Sequence, residues 1–411
     1  MSRAIFVLLI FLSSNLNADW PQFLGPDRNG IADSETTIRI LSDTEEYPTL
    51  WKIKVGDGHS SPVVSNGKVV LHHRIGATEV LQAFDSKSGQ SIWKVEQPSN
   101  HRDSYDSNLG PKSTPAIANS KVYSYGVGGQ LTCTNLNTGK ILWTHDAAKQ
   151  FRADKGFFGR CSSPMVANGL VLLNLGGQQD GKGAGVAAFD AKTGKMVWQA
   201  TEHEASYASP IQANLNGKDT AIFFTREGLV GATLNEKNPK LLFDTYYRPA
   251  MHASVNAASA VHCGDNKIFA STCYGVGAAT WEVTSDGKLK QLWKKQDLLD
   301  CHFATPVFYK GHLYGIHGRQ ESGTQIRCID LNKGELLWTT RTMSPGLLLI
   351  ADNKLVTLLE SGELLISEAT TKSFKELARR QILGSGRSYP AISNSVLYAR
   401  DNNNLVAIKL D

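Results

Sequence analysis

Twelve residues scattered through this chain share one chemical character and one kind of address. His59, Arg74, Lys112, Arg160, Arg226, His252, Asn256, Asp300, His302, Arg319, Arg387 and Arg400 are mostly cations or imidazoles. Each stands just before, or just after, a short apolar run. Tyr207 and Tyr274 hold matching places, and carboxylates such as Asp57, Glu227, Glu321, Glu360 and Asp401 are few there. Guanidinium groups brought together favour a carboxylate, phosphate or sulfate, which they bind through paired hydrogen bonds. The competing reading is that surface loops are polar in any fold. His252 and Asn256, in HASVNAAS (252–259), could serve a ligand or metal, or could simply brace the loop.

Other chemistries find no footing. Gly-x-Ser-x-Gly and His-Glu-x-x-His are absent, and no Ser/His/Asp set or glycosidase carboxylate pair can be picked out. The glycine-dense GGQQDGKGAG (176–185) lies between two strands rather than ahead of a helix, so it reads as a rim loop and not a phosphate cradle. No Cys-x-x-Cys occurs among the six cysteines, which argues against a thiol redox motif, a zinc ribbon or attached haem. Cys133 and Cys328 stand where other copies of the repeat have Ala and read as buried apolar residues. Cys273 and Cys301 fall on one face, and whether they are bridged stays open.

The elements that must position these residues come from a repeat of about fifty residues. SPVVSNGKVVLHH…LQAFDSKSGQSIWKV (61–95), TPAIANSKVYSYG…LTCTNLNTGKILWTH (114–145), SPMVANGLVLLNL…VAAFDAKTGKMVWQA (163–200) and TPVFYKGHLYGIH…IRCIDLNKGELLWTT (305–340) are its clearest copies. Short β-branched or alternating runs bounded by Gly, Asn, Asp and Ser read as four antiparallel strands, A to D. In the first copy these fall at about 62–65, 68–73, 79–85 and 91–95. Trp93, Trp143, Trp198, Trp293 and Trp338, with Phe243 in a degenerate copy, share one place in strand D and read as wedges against the neighbouring repeat.

Such a repeat predicts an all-β propeller with blades near 61–96, 113–146, 162–201, 208–246, 256–296, 304–341 and 346–382. An eighth blade begins at Tyr389-Pro390 and stops at Asp411 without a strand D. TLWKIKVG (49–56), with Trp51 in the Trp slot, supplies the missing strand and closes the ring. Seven blades is the alternative, because 346–382 lacks both the Pro and the Trp. In this geometry the segments before strand A and between strands B and C share one face around the central channel, and the twelve residues fall there.

With 43 Lys/Arg against 38 Asp/Glu, the net charge of +5 is small and dispersed, which argues against a nucleic-acid partner. Residues 1–18 (MSRAIFVLLIFLSSNLNA) read as a cleavable secretory signal, too short in its apolar stretch for a membrane span and not followed by a lipid-anchoring Cys. The expectation is one propeller domain over 19–411, periplasmic or secreted.

The unit AFDAKTGKMVW (188–198), approximated at 83–93 and 328–338, resembles the PQQ-type propeller repeat of quinoprotein alcohol dehydrogenases and of BamB-type scaffolds. DWPQFLGPDRNG (19–30), FTREGLVGA (224–232), HASVNAAS (252–259), GHLYGIHGRQ (311–320) and SGELLISEAT (361–370) resemble exported PQQ-like propellers of planctomycete-type bacteria. The resemblance covers about 19–411 and is specific for fold rather than activity. Taken with the Arg/His-rich residues, the leading expectation is a binding or scaffold module holding a small anionic ligand or a partner segment; the alternative that the resemblance implies is a PQQ-dependent oxidoreductase of alcohols or sugars, with Ca²⁺. The dehydrogenases are similar in using adjacent cysteines, a Trp floor, a Glu/Asn/Asp calcium set and an Asp base. This chain has no Cys-Cys pair, and no calcium triad can be assigned; Asp300 could be a base, and Arg160 or Arg387 could meet a quinone carboxylate.

Overall fold

The computed structural model describes residues 19–102, 105–234 and 239–411. The expected secretory signal lies outside the described residues. Eight four-stranded antiparallel sheets form an eight-bladed propeller. Blades 1 to 7 span 63–98, 116–146, 165–200, 211–246, 261–295, 307–339 and 346–381, each ordered A-B-C-D. Blade 8 takes strands A to C from 391–409, and its strand D is Thr49–Lys54, paired antiparallel to Asn404–Lys409. The ring therefore closes through the N-terminal strand, and the repeat at 346–382 forms a full blade despite lacking its marker residues.

The repeated residues have specific tasks. Each Ser/Thr ahead of strand A joins a hydrogen-bonded chain around the channel. The N–H groups of Ser61, Thr114, Ser163, Ser209 and Ser259 donate to the hydroxyls of Thr114, Ser163, Ser209, Ser259 and Thr305 at 2.9–3.1 Å. Blade 7 has no such hydroxyl. Tyr389 of blade 8 reaches past it, and its phenol accepts from Thr305 N at 2.7 Å.

In strand D four of the Trp wedges bind the next blade through both ring and N–H. Trp51, Trp93, Trp143 and Trp293 pack against Gly89, Gly139, Gly194 and Gly334 in the following C–D turn. Their indole N–H groups donate to Ser86, Leu136, Ala191 and Leu331 carbonyls at 2.7–3.3 Å. Gly139 shows why the turn needs glycine: its φ is +72°, and a Cβ there would sit 2.9 Å from the Trp93 ring.

A β-bulge falls at the same place in strand D of every blade, just before the wedge or, in blade 7, before Ala378. Ala83 pairs with Trp93 but Phe84 with Ser91, which leaves Ile92 unpaired, and the same slip recurs in the other seven C–D pairings. A bulge on each outermost strand twists an edge that would otherwise template aggregation.

One element was not foreseen. Residues 19–32 run inside the propeller and plug its channel. Trp20 bridges to Val64, Ile117 N donates to Pro21 O, and Ile350 pairs with Gly30 and Ala32. Arg28 is buried there and donates to Pro164 O and Ser163 O at 3.0 and 3.3 Å. Burial lowers its pKa to about 9. None of the six cysteines is in a disulfide; Cys273 Sγ faces Asp300 O at 3.2 Å and Cys301 Sγ faces Leu299 O at 3.6 Å.

Candidate functional site

Because the N-terminal plug closes the channel from below, the opposite mouth is a blind cup rather than a pore. Its volume is about 640 Å³. Phe23 of the plug lies at its base and meets Tyr389 edge-on, with ring centres 5.3 Å apart. The wall is built from the segments before strand A and the B–C loops, as the repeat geometry dictates. Tyr105, Phe157, Phe158, Tyr207, Tyr274 and Phe303 give it a largely aromatic lining. Tyr105 packs edge-on to Phe157 and Phe158, and Phe158 edge-on to Tyr207.

Of the twelve residues singled out in the sequence, His59, Lys112, His302, Arg319 and Arg387 line the cup. His59 Nε2 and Lys112 Nζ both approach Asp106, at 3.3 and 3.4 Å. Burial keeps His59 below the usual imidazole range, against the pull of Asp106. Burial would raise Asp106, yet His59, the Asn108 N–H and Lys112 outweigh it and hold the carboxyl well below its ordinary value. Arg387 forms a forked pair with Glu360 at 2.6 and 3.1 Å and lies over the Phe303 ring at 5.1 Å. Arg319 forks onto Glu321 at 3.2 and 3.0 Å and lies over Tyr274 at 4.7 Å.

The other seven sit behind or beside the cup, and four of them serve the loops that shape it. Arg74 is buried and donates to the carbonyls of Gly76, His101, Leu109 and Ser99 at 2.8–3.1 Å. Arg400 is buried on Gly56 O and Asp401 O, and burial lowers it to about 10. Asn256 Nδ2 binds Thr225, Arg226 and Tyr247 carbonyls. Arg160 donates to Gly128 O and Ala153 O. These four side chains donate to backbone carbonyls of the loops around the cup, while Arg160 Nε and Arg400 Nη1 are buried without a hydrogen-bond partner.

Arg226 pairs with Glu204 and His252 O while stacking on Phe157 at 5.3 Å. His252 is exposed at the outer lip, edge-on to Phe157. Asp300 takes Asp297 N on one carboxyl oxygen, and burial raises its pKa.

Sequence reasoning missed the aromatic character. Phe157-Phe158 and His302-Phe303 stood before strand A in positions already marked as rim, and their unusual apolarity for a loop was the available signal. Phe23 could not be found that way, since only the threading of the plug brings it to the cup.

The comparisons fit this architecture. The family model described as outer membrane protein assembly factor BamB matches residues 77–340. The chain belongs to that family. BamB of Moranella endobia is 20% identical over 323 residues, covering 76% of this chain and 78% of that one. The solved structure of BamB from Moraxella catarrhalis superposes with a TM-score of 0.63 at 13% identity, covering 89% and 98% of the two chains. Quinohemoprotein alcohol dehydrogenase ADH-IIG of Pseudomonas putida is 31% identical over 152 residues, which are 36% of this chain and only 20% of that protein. The quinohemoprotein alcohol dehydrogenase structure from Comamonas testosteroni superposes with a TM-score of 0.53 at 13% identity, covering 95% and 80%. Both branches share the propeller.

The dehydrogenase likeness implies PQQ with a divalent cation, so the cup was tested for them. Its walls can stack on a planar ring, and Lys112, Arg319 and Arg387 suit carboxylates. Among the described residues no three His, Cys, Asp or Glu side chains are grouped so as to hold a metal ion. Asp106 and Glu321, the carboxylates lining the cup, are each held by a cationic side chain.

Proposed function

We propose that this protein is an exported, periplasmic or secreted binding module whose cup holds an anionic group attached to an apolar or aromatic body. That body is a small ligand or an acidic segment of a partner protein. The blind cup carries this reading: aromatic walls stand beside Lys112, Arg319 and Arg387. Aromatic faces supply apolar area and stacking, and Lys112, Arg319 and Arg387 are paired with Asp106, Glu321 and Glu360. The Arg319–Glu321 pair is open to solvent, with side chains 40% and 54% exposed. Such pairs contribute about 0–1 kcal/mol, so an arriving carboxylate replaces Glu321 at little cost. Family membership supports a module that works by binding. Among the described residues no helix is long and apolar enough to cross a membrane.

The second reading is a PQQ-dependent oxidoreductase, favoured by the stacking walls and by the likeness to quinohemoprotein alcohol dehydrogenase. Titrating the purified protein with PQQ and Ca²⁺ separates the two, using absorbance and dye reduction by alcohols and sugars. Stoichiometric uptake with dye reduction would replace the binding module with an enzyme. No uptake at micromolar PQQ would retire the dehydrogenase.

A further inference from the structure

One wall of the cup carries an ordered polar chain that simple binding does not require. Tyr274 Oη lies 2.7 Å from His302 Nε2, and His302 Nδ1 lies 2.5 Å from Gln320 Oε1. An amide oxygen only accepts, so Nδ1 carries the imidazole proton and Nε2 is left to accept from the Tyr274 phenol. Arg319 covers the Tyr274 ring at 4.7 Å. Tyr274 also has φ +64°. A bulky aromatic in the left-handed region is a genuine outlier, and such strain gathers where a side chain must be held for function. All four residues line the cup.

We propose that Tyr274 and His302 are a proton-transfer pair acting on a carboxylate ligand in the cup, of the class that bears an oxygen substituent on the carbon β to the carboxyl, as in a 4-linked uronoside. This rests on the reading of the cup as an anion site. Arg319 and Arg387 hold the carboxylate and stabilise the charge that builds on it. Tyr274 Oη takes the proton from the carbon next to the carboxyl while its own proton passes to His302 Nε2. The C–H electron pair becomes the C=C bond as the C–O bond at the next carbon breaks. The departing oxygen then takes the proton back from His302 through Tyr274. An unsaturated carboxylate and an alcohol result, and nothing is oxidised or reduced. Both groups start neutral. Burial, with Arg319 and Arg387 adding to it against Gln320 and Glu321, keeps His302 neutral by lowering its pKa. Burial, partly offset by Arg319, keeps Tyr274 protonated. Gln320 is a positioning residue that fixes the tautomer.

The test uses polygalacturonate and alginate as probes, with binding read by calorimetry. Chemistry is read by ultraviolet absorbance of the conjugated product and by deuterium uptake from D₂O at the carbon next to the carboxyl. The wild type is expected to bind at least one probe and to exchange or eliminate it. Tyr274→Phe and His302→Gln should each lose about 100-fold or more in rate, keep affinity within a few-fold and melt near the wild type. Gln320→Leu should move the pH profile of the rate, which a purely structural role would not do. A probe that binds in an Arg387-dependent way yet shows neither exchange nor elimination overturns the proton-transfer pair and leaves the anion site standing. So does a Tyr274→Phe protein that reacts within threefold of the wild type. Failure of both probes to bind overturns the proposal and counts against the anion site itself.

Discussion

Removing one hydroxyl from the ring around the channel isolates the task of the Ser/Thr-Pro signature. Ser209 Oγ accepts from Ser163 N at 2.9 Å, and both residues are buried. Ser209→Ala removes the acceptor from that N–H. A buried donor stripped of its acceptor costs about 1–3 kcal/mol. Unfolding entropy of about 2.1 cal/mol/K per residue, over roughly 390 residues, is about 0.8 kcal/mol/K, so a 2 kcal/mol loss lowers Tm by roughly 2–3 °C. Denaturant unfolding should show the same loss as a lower midpoint at unchanged slope. Ser209→Thr is the control: it keeps the acceptor, and Thr already serves at 114 and 305. A Ser209→Ala protein within about 0.5 kcal/mol of the wild type would refute the hydroxyl ring as a stabilising device. So would a Ser209→Thr protein as damaged as Ser209→Ala.

Three further outcomes follow from the same geometry. Deleting residues 47–56 removes the strand that closes blade 8 and bares Asn404–Lys409, so size-exclusion chromatography should show aggregation; Trp51→Ala, which only empties the wedge, should cost about 3–5 kcal/mol in denaturant unfolding. Gly139→Ala should cost about 1–3 kcal/mol by the same measurement, because the residue must hold φ +72° against Trp93. His73 accepts Gly56 N on Nδ1 and faces Gln82 Oε1 with Nε2, so it is held neutral; burial, helped by Arg400 and His72 against Gln82, lowers its pKa to about 4. Its unfolded value is about 6.5, so the unfolded chain binds the extra proton first. This contribution is fully present above about pH 6.5 and falls away toward pH 4, by up to about 3 kcal/mol. Unfolding curves from pH 4 to 7 should flatten in His73→Asn.

Blade count, strand order and closure by residues 49–54 were legible in the sequence because the propeller repeats its grammar. Trp, Gly and Ser/Thr-Pro recur since each blade meets its neighbour through the same contacts. Blade 7 formed without those markers, because its apolar strands Gly346–Ala351 and Lys354–Leu359 still bury as a sheet. The site was less legible, for a physical reason. Residue type and strand position place an arginine near the mouth but do not say what it binds. Arg74 and Arg387 looked alike in sequence; one is filled by four carbonyls and the other opens onto the cup. The plug left no local signal either, since the burial of Trp20 and Arg28 depends on chain threading rather than on periodicity.

The cup as an anion site is tested most directly by calorimetric titration of the wild type and Arg387→Ala with a short peptide rich in Glu and Phe. The account predicts saturable one-to-one binding that weakens with added salt. Affinity should fall about tenfold or more in the variant, the range for losing a hydrogen bond to a charged group. No binding at high micromolar peptide, or binding indifferent to both salt and Arg387, would contradict it.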